Sequence, residues 1–594
     1  MKKLFSLLLC LVLLLSFAAC GTAEETPDES PEPAQSYAAG TYSVTATGHN
    51  CDFTVDVTFD DSSITNIVIG ENSETGYLGE HAMEMVRGDI LEHQTVNVDT
   101  VAGATVSSAA LRAAVSEAVE QAGGDPSSMP APTEEPVTYE DTATQVVVVG
   151  SGTAGLAAAV EADEQGLDVI LVEQLGILGG SSVRTGYVMG GSTRLQAEAG
   201  IEGYTKEDFV NYLAVTTATG EGGGNRSEID SALYNEASAI RIAEMAGENI
   251  DWLQDLGVKM TVDGFNHRGN GSRFGPFLLR AMDAVLTERN VDVRLNTRAD
   301  ELLTDEAGRV TGVRVEAPDG SFYNISAGAV ILATGGYNAN QELIAKYNPK
   351  YAGYMTDVCI GADGSGMLMA EAVGGQLICM DQANYHSFAL VWRGASRSMS
   401  SVITSGAIAV NAEGERFLNE DTYYDKSAAD AITEQTGGVC YVILNQDIID
   451  TVCVPGDNHL ANDITMYEKG ETVEELAEKL GIDAGALKAT LEEYTGFVAA
   501  GEDTAFGRPA SSLTASFAEG PFYGAEAKPE LHTDHGGVVI DIDTRVLNAD
   551  GEPIPGLYAA GEVTASHVLG STTNTVCLAH GRIAARTAKA DLAE

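Results

Sequence analysis

Apolar and polar positions alternate through Tyr42–Ala46 and again through Phe53–Phe59, with β-branched residues among them, and this predicts two half-buried antiparallel strands. A helix is expected near Gly79–Arg87 and another over Ser107–Ala122. Further along, the pattern changes from alternation to continuous apolar runs. Gln145–Val149 enters the glycine turn Gly150-Ser-Gly152-Thr-Ala154-Gly155, a helix follows over Leu156–Gln165, and Asp168–Glu173 forms the next strand. A short apolar run of this kind, bounded by glycines, is what a strand buried on both faces of a parallel sheet requires.

The other apolar run lies at the N-terminus. Lys2 and Lys3 precede Leu4–Phe17, the charged start and hydrophobic stretch of a secretory signal, and the run ends at Phe17-Ala-Ala-Cys20-Gly. Small residues before Cys20 resemble a bacterial lipobox, which implies an acylated Cys20, although Phe17 stands where that motif usually has Leu. No later segment is apolar enough to span a bilayer, so the rest of the chain is expected outside the cytoplasmic membrane, touching it only through the lipid. Thr22–Gln35 and Gly123–Asp141 are rich in Pro, Glu, Ser and Thr and are read as linkers.

Length and charge then bound the organisation. A chain of 594 residues exceeds what one core supports, so several domains are expected. Lys+Arg 33 against Asp+Glu 87 gives a net charge of −54, which repels nucleic acid. Of the 8 cysteines none forms a C-x-x-C pair, which argues against covalent haem and a thiolate metal site, and no metal is expected. Disulfides are permitted in this compartment but not indicated by the spacing.

The chemistry is carried by glycine-rich turns. In G-x-G-x-x-G the first glycine makes a tight turn, the second admits a pyrophosphate and the third lets helix pack on strand, while Glu173 lies where an acid can bond a ribose. Gly179-Gly180-Ser181-Ser182, Ala327–Gly336 with Thr334 and Gly335, and Gly556–Val563 with Gly561 and Glu562 follow in order. Together these resemble the FAD domain of the fumarate reductase and succinate dehydrogenase flavoprotein family. The resemblance implies FAD, with Glu562 bonding its second ribose. The run Asp99-Thr-Val-Ala-Gly103-Ala104-Thr105-Val-Ser107-Ser108 resembles the motif of FMN-binding domains, implying FMN esterified to the Thr105 hydroxyl by a flavin transferase. Thr and Ser also cap helices in ordinary proteins, so the motif alone leaves that alternative open.

The run Gly406–Asn411 with Arg416-Phe417-Leu-Asn419-Glu420 resembles the capping domain of soluble fumarate and urocanate reductases. The expected fold is therefore an α/β FAD-binding Rossmann-type domain with an inserted α+β cap, preceded by a small α+β FMN-binding domain. The boundaries follow as signal 1–20, linker 21–36, FMN domain 37–123, linker 124–141, FAD domain 142–379 and 532–594, and cap 380–531. The resemblance implies a reductase of activated carbon–carbon double bonds, fed by a membrane or extracytoplasmic electron donor.

The chain departs from that family where substrate binds. A family proton-donating Arg in T-R-D is replaced in Thr422-Tyr423-Tyr424-Asp425 by Tyr424, and a phenol can donate a proton in its place. A substrate-clamping Arg is replaced in Ser566-His567-Val568-Leu569-Gly570 by Val568, with Leu569 beside the flavin. His532, in Leu531-His532-Thr533-Asp534-His535-Gly536-Gly537, remains a candidate polariser of the substrate. Tyr385, Tyr423 and Val568 are expected to wall the pocket. Losing both arginines favours a neutral enone of steroid type, similar to the tyrosine chemistry of flavin ketosteroid dehydrogenases. A carboxylate such as urocanate or a cinnamate is the alternative, and an electron-transfer or solute-binding lipoprotein is the rival class.

Overall fold

The computed structural model describes residues 36–132, 137–219, 236–269, 273–453, 461–565 and 572–593. The expectations for Cys20, Val568 and Leu569, and for the signal and first linker up to residue 35, fall outside the described residues.

The N-terminal unit is a three-stranded antiparallel sheet, β1 (Gly40–Thr47), β2 (Asp52–Phe59) and β3 (Ile64–Ile69), covered by α1 (Leu78–His93) and α2 (Thr105–Gln121). Its inward positions Val44, Val55, Val57 and Phe59 pack on Leu111, Val115 and Val119 of α2, as the alternation requires. The first helix is longer than its pattern suggested, because Ala82, Met83, Val86 and Ile90 keep a buried stripe going beyond Arg87.

The second unit is built on β4 (Thr142–Val149), α3 (Thr153–Glu164) and β5 (Val169–Val172), with β4 parallel to β5. Val146, Val147 and Val148 are fully buried, so this is the doubly covered strand read from the sequence. The sheet continues through β6 (Asp292–Arg294), β7 (Arg298–Thr304), β8 (Val310–Glu316) and β9 (Phe322–Leu332), in the order β7-β8-β9-β4-β5-β6.

The inserted unit is a separate seven-stranded sheet whose path runs β11-β10-β14-β13-β12, from β10 (Ala383–Trp392), β11 (Ala395–Ser398), β12 (Ile408–Val410), β13 (Cys440–Asn445) and β14 (Phe522–Asp534). It has its own core, including Phe388, Val402, Ile443 and Leu487. The long strand β14 runs without interruption across the expected cap boundary at 531/532. It therefore carries His532 and Asp534 from the cap sheet to the flavin cradle. The chain then returns to the second unit with β15 (Arg545–Leu547) and β16 (Pro553–Ala559), the latter parallel to β9, and ends in α4 (Thr573–Asp591) against α3.

No helix among the described residues is long and apolar enough to cross a membrane. The six cysteines from Cys51 to Cys577 are all free thiols.

Candidate active site

The turn between β4 and α3 is shaped by its glycines. Gly150 has φ +98°, and a side chain on Gly155 would come within 1.8 Å of the Gly150 carbonyl oxygen. A side chain on Gly152 would instead meet only Ser182 Oγ, at 3.7 Å, and one on Gly180 would meet nothing within 4 Å. One cavity is lined by Gly150, Gly152, Ala154, Glu173, Gly180, Ser181, Thr334, Gly335 and Glu562. It thus gathers most of the residues picked out for the dinucleotide. Gly155 and Gly561 shape its walls through packing, and Gly179 turns the chain with φ +116°.

This cavity fits FAD on its own terms. In its lining Thr334 Oγ1 is buried without a hydrogen-bond partner, as is Oδ1 of Asp534 beside the lining residue Glu562, which costs free energy unless a ligand supplies one. Glu173 accepts from the Ser151 backbone N–H at 2.9 Å, the Ser151 hydroxyl at 2.6 Å and the Leu175 N–H at 2.9 Å, so the acid is rigidly held. Burial raises its pKa. Burial also pushes Glu562 up to about 7, and Glu562 accepts from the Asp534 N–H at 2.9 Å. A carboxyl poised near neutrality can either donate to or accept from a ribose hydroxyl.

The FMN motif lies at the start of α2. Its N-cap is Ala104, with no side chain capping the helix, and Thr105 is exposed with no hydrogen bond from its hydroxyl among the described residues. The capping alternative for Thr105 therefore has no support in the structure. A side chain on Gly103 would come within 3.3 Å of Leu175 and Ile177, and the Gly176 N–H donates to Ala102 O at 3.2 Å. The FMN motif thus sits directly on the loop that follows Glu173.

The reaction centre forms around a buried carboxylate, Asp357. His532 Nδ1 lies 2.7 Å from Asp357 Oδ1, and Arg184 Nη1 donates to the Asp357 carbonyl at 2.7 Å. Arg184 Nη2 and His386 Nδ1 lie 3.0 Å and 3.3 Å from Oδ2, at ion-pair distance without hydrogen-bond alignment. His386 Nδ1 also bonds Glu530 Oε1 at 2.9 Å, and the Ser396 hydroxyl donates to Glu530 Oε2. The two imidazoles stack with centroids 4.2 Å apart. Burial opposes charge on His386, but Asp357 and Glu530 outweigh it and hold its pKa up at about 9. Burial would raise Asp357, yet Arg184 and the two histidines hold it well below the usual carboxylate range.

Both histidines are pinned through Nδ1, and neither Nε2 has a partner among the described residues. Charged His386 is set to donate its Nε2–H to an acceptor. Tyr424 packs against this pair, its ring 5.3 Å from His386 and 4.3 Å from Tyr423, and burial raises its pKa. Asp357, His386 and His532 have ligand atoms within 4.8 Å of one another, a spacing open to a metal ion. The adjacent Arg184 guanidinium opposes a second cation there.

The structure brings Tyr423, Tyr424 and His532 together. It does not bring Tyr385 to them. Tyr385, expected in the pocket wall, is 2% exposed and packs 5.0 Å from Tyr351 in the core behind β10. Its neighbour His386 takes the opposite face, since successive strand residues alternate. Sequence reasoning missed Arg184, Asp357, His386 and Glu530. Of these, only His386 adjoins a residue picked out from the sequence, Tyr385. Asp357 lies in a segment that matched no motif.

A dinucleotide cradle next to a capped, polar reaction centre is the arrangement of an FAD-dependent oxidoreductase. The model of the FAD binding domain family matches residues 145–573, more than half the chain, and that of the FMN-binding domain matches residues 48–120. The chain is 33% identical over 599 residues to a urocanate reductase of Eggerthella lenta, covering 97% of this chain and 96% of that one. It is 34% identical over 502 residues to an NADH:fumarate oxidoreductase of Klebsiella pneumoniae, covering 81% of this chain but only half of that protein's length. Among solved structures, the open conformation of a flavocytochrome c3 fumarate reductase matches with TM-score 0.66 and 29% identity, covering 78% of this chain and 84% of that one. The chain belongs to the FAD-binding family of the fumarate and urocanate reductases, oxidoreductases acting on carbon–carbon double bonds, and it binds FAD and FMN.

Proposed function

We propose that the protein reduces the double bond of a neutral, carbonyl-activated acceptor, an enone of steroid type. The two flavins supply the redox chemistry, electrons entering at FMN and leaving FAD as hydride to one carbon of the double bond. Charged His386 donates its Nε2–H to the acceptor carbonyl and stabilises the negative charge that develops there, with His532 stacked against it. Tyr424 gives a proton to the second carbon.

The observation that carries the neutral substrate is charge balance. Arg184 and charged His386 are matched by Asp357 and Glu530 within the cluster that faces Tyr424, so neither of these two cations is spare for a substrate carboxylate. A second reading, an unsaturated carboxylate such as urocanate or a cinnamate, is favoured by the near full-length similarity to a urocanate reductase. Dye-reduced enzyme offered enones, enoates and dicarboxylates separates the two. Reoxidation by enones alone is expected, and reoxidation by enoates alone overturns the first reading.

Thr105 is the proposed FMN attachment and Cys20 the proposed lipid attachment, with a flavin transferase maturing the chain and a membrane or extracytoplasmic donor feeding it. Support for the first is an exposed, unbonded hydroxyl at a helix start, and for the second the basic and apolar leader ending in Ala-Ala-Cys-Gly. One pair of substitutions tests both. Thr105→Ala should leave no flavin on the denatured chain, and Cys20→Ala should move the protein from the membrane to the soluble fraction. Flavin or membrane association that persists refutes the corresponding attachment.

A further inference from the structure

Where the FMN domain meets the cap, the structure buries a guanidinium without an anion. Arg397, on β11, is 5% exposed. Its Nη2 donates to His49 Nε2 and to Asn50 Oδ1, each at 3.0 Å, and both partners are neutral acceptors from the turn between β1 and β2. Burial lowers the His49 pKa to about 4, with Arg397 adding to the effect, so this imidazole carries no proton on the accepting nitrogen. Arg397 Nε is buried with no partner at all. No carboxylate lies at ion-pair distance from Arg397 among the described residues. The neighbouring charges that act on it include two more cations, Arg184 and Arg273.

A buried charge left uncompensated is expensive, and in a chain of net charge −54 a carboxylate could have been placed here. The two nearest acids are committed elsewhere. Glu74 accepts from the backbone N–H groups of His49, Asn50 and Cys51 and from the Ser107 hydroxyl. Glu530 holds Ser396 and His386.

What the seam connects says which anion is missing. On one side Asn50 leads through Glu74 to Ser107, two residues after Thr105 on the same helix. On the other, Ser396 leads through Glu530 to His386 of the reaction centre. The β10–β11 hairpin is further fixed to the FMN domain by Arg393, which pairs with Asp52 at 2.9 Å. Arg397 therefore stands between the FMN attachment segment and the active site. It belongs to a wall that only the docked FMN domain completes.

We propose that Arg397 is a positioning residue for the FMN, holding the flavin ring at the seam between FMN domain and cap and thereby making that flavin easier to reduce. The ligand class is a flavin mononucleotide anion. Two-electron reduction adds negative charge to the ring system at neutral pH, and a desolvated guanidinium stabilises that charge more than it stabilises the oxidised ring. The inference rests on FMN being carried at the start of α2.

Reductive titration of the holoenzyme with both flavins present tests it, the FMN transition being identified by its loss in Thr105→Ala. Arg397→Met should lower the reduced-to-oxidised ratio of FMN at a fixed potential by about tenfold, which is about 30 mV for a two-electron couple. Arg397→Lys should keep most of the wild-type value. Asn50→Asp places the missing carboxylate beside the guanidinium at the cost of the amide's bonds to Ser73 O and Thr75 Oγ1, and it should shift FMN in the same direction as Arg397→Met. The FAD transition should not move in any of them. If Arg397→Met does not fold, Asn50→Asp decides. An FMN transition unmoved in the variants that fold overturns the proposal, and a raised KM with FMN unmoved assigns the charge to substrate instead. If Thr105→Ala keeps both transitions, the attachment reading fails and the Arg397 proposal fails with it; if one transition is lost there but is unmoved in the Arg397 and Asn50 variants, only the Arg397 proposal fails.

Discussion

Tyr424→Phe is expected to lower turnover by about two to four powers of ten, the usual worth of a positioned general acid, while leaving FAD bound and reducible. Phenylalanine keeps the ring contacts to Tyr423 and His386 and removes only the hydroxyl. Burial raises the Tyr424 pKa, with the neighbouring Tyr423 adding to it and a hydrogen bond to Ser400 working the other way. The hydroxyl is thus protonated throughout the neutral range. A donor of this kind suits a carbon that becomes strongly basic only after hydride has arrived. The measurement is single-turnover oxidation of reduced enzyme by the best acceptor of the panel. The reductive step should be unaffected, which separates loss of the acid from loss of the flavin. Turnover within a few fold of wild type would move the proton to another group, and charged His386 is the nearest.

The parts of this protein that were legible in its sequence are those in which chemistry and local structure share one segment. Gly150, Gly152, Gly155 and Glu173 fall on a single strand–helix–strand unit, so spacing along the chain sets their spacing in space. Thr105 is legible for the same reason, as a hydroxyl at the first residue of a helix. The reaction centre has no such segment. Arg184, Asp357, His386, Glu530 and His532 come from distant parts of the chain, and β14 alone supplies two of them.

Strand parity explains the error at Tyr385. A shift of one residue exchanges the two faces of a strand, and β10 pairs with β14 through irregularities between Ala383 and Tyr385 and between His386 and Ala389. The expectation for Tyr385 therefore pointed to the right strand and the wrong side chain. His386 occupies the site, and Tyr385 fills the core. The positive charge that the structure places at the centre was not legible. Arg184 and His386 bring positive charge to the centre from positions with no motif, and Asp357 and Glu530 cancel it there.

That cancellation makes Asp357 the residue on which the second large effect is expected. Asp357→Asn removes the carboxylate shared by Arg184, His386 and His532 and leaves Glu530 as the one acid on His386. The loss of an opposite charge at this range lowers a histidine pKa by roughly one to three units. Wild-type activity should fall as pH rises through about 9, where His386 loses its proton. In Asp357→Asn that limb should move into the neutral range. Above it, kcat should drop by about two to three powers of ten, the cost of losing one donor to a developing oxyanion. Stability follows with the same sign. The folded-state pKa of His386 lies above the unfolded value of 6.5, so its contribution is complete below pH 6.5 and is lost as pH rises through about 9. Thermal midpoints of the wild type should decline over that window, and those of Asp357→Asn should decline less. An alkaline limb that stays near pH 9 in the variant would show that Glu530 alone sets the charge of His386, and that Asp357 serves only to tether Arg184.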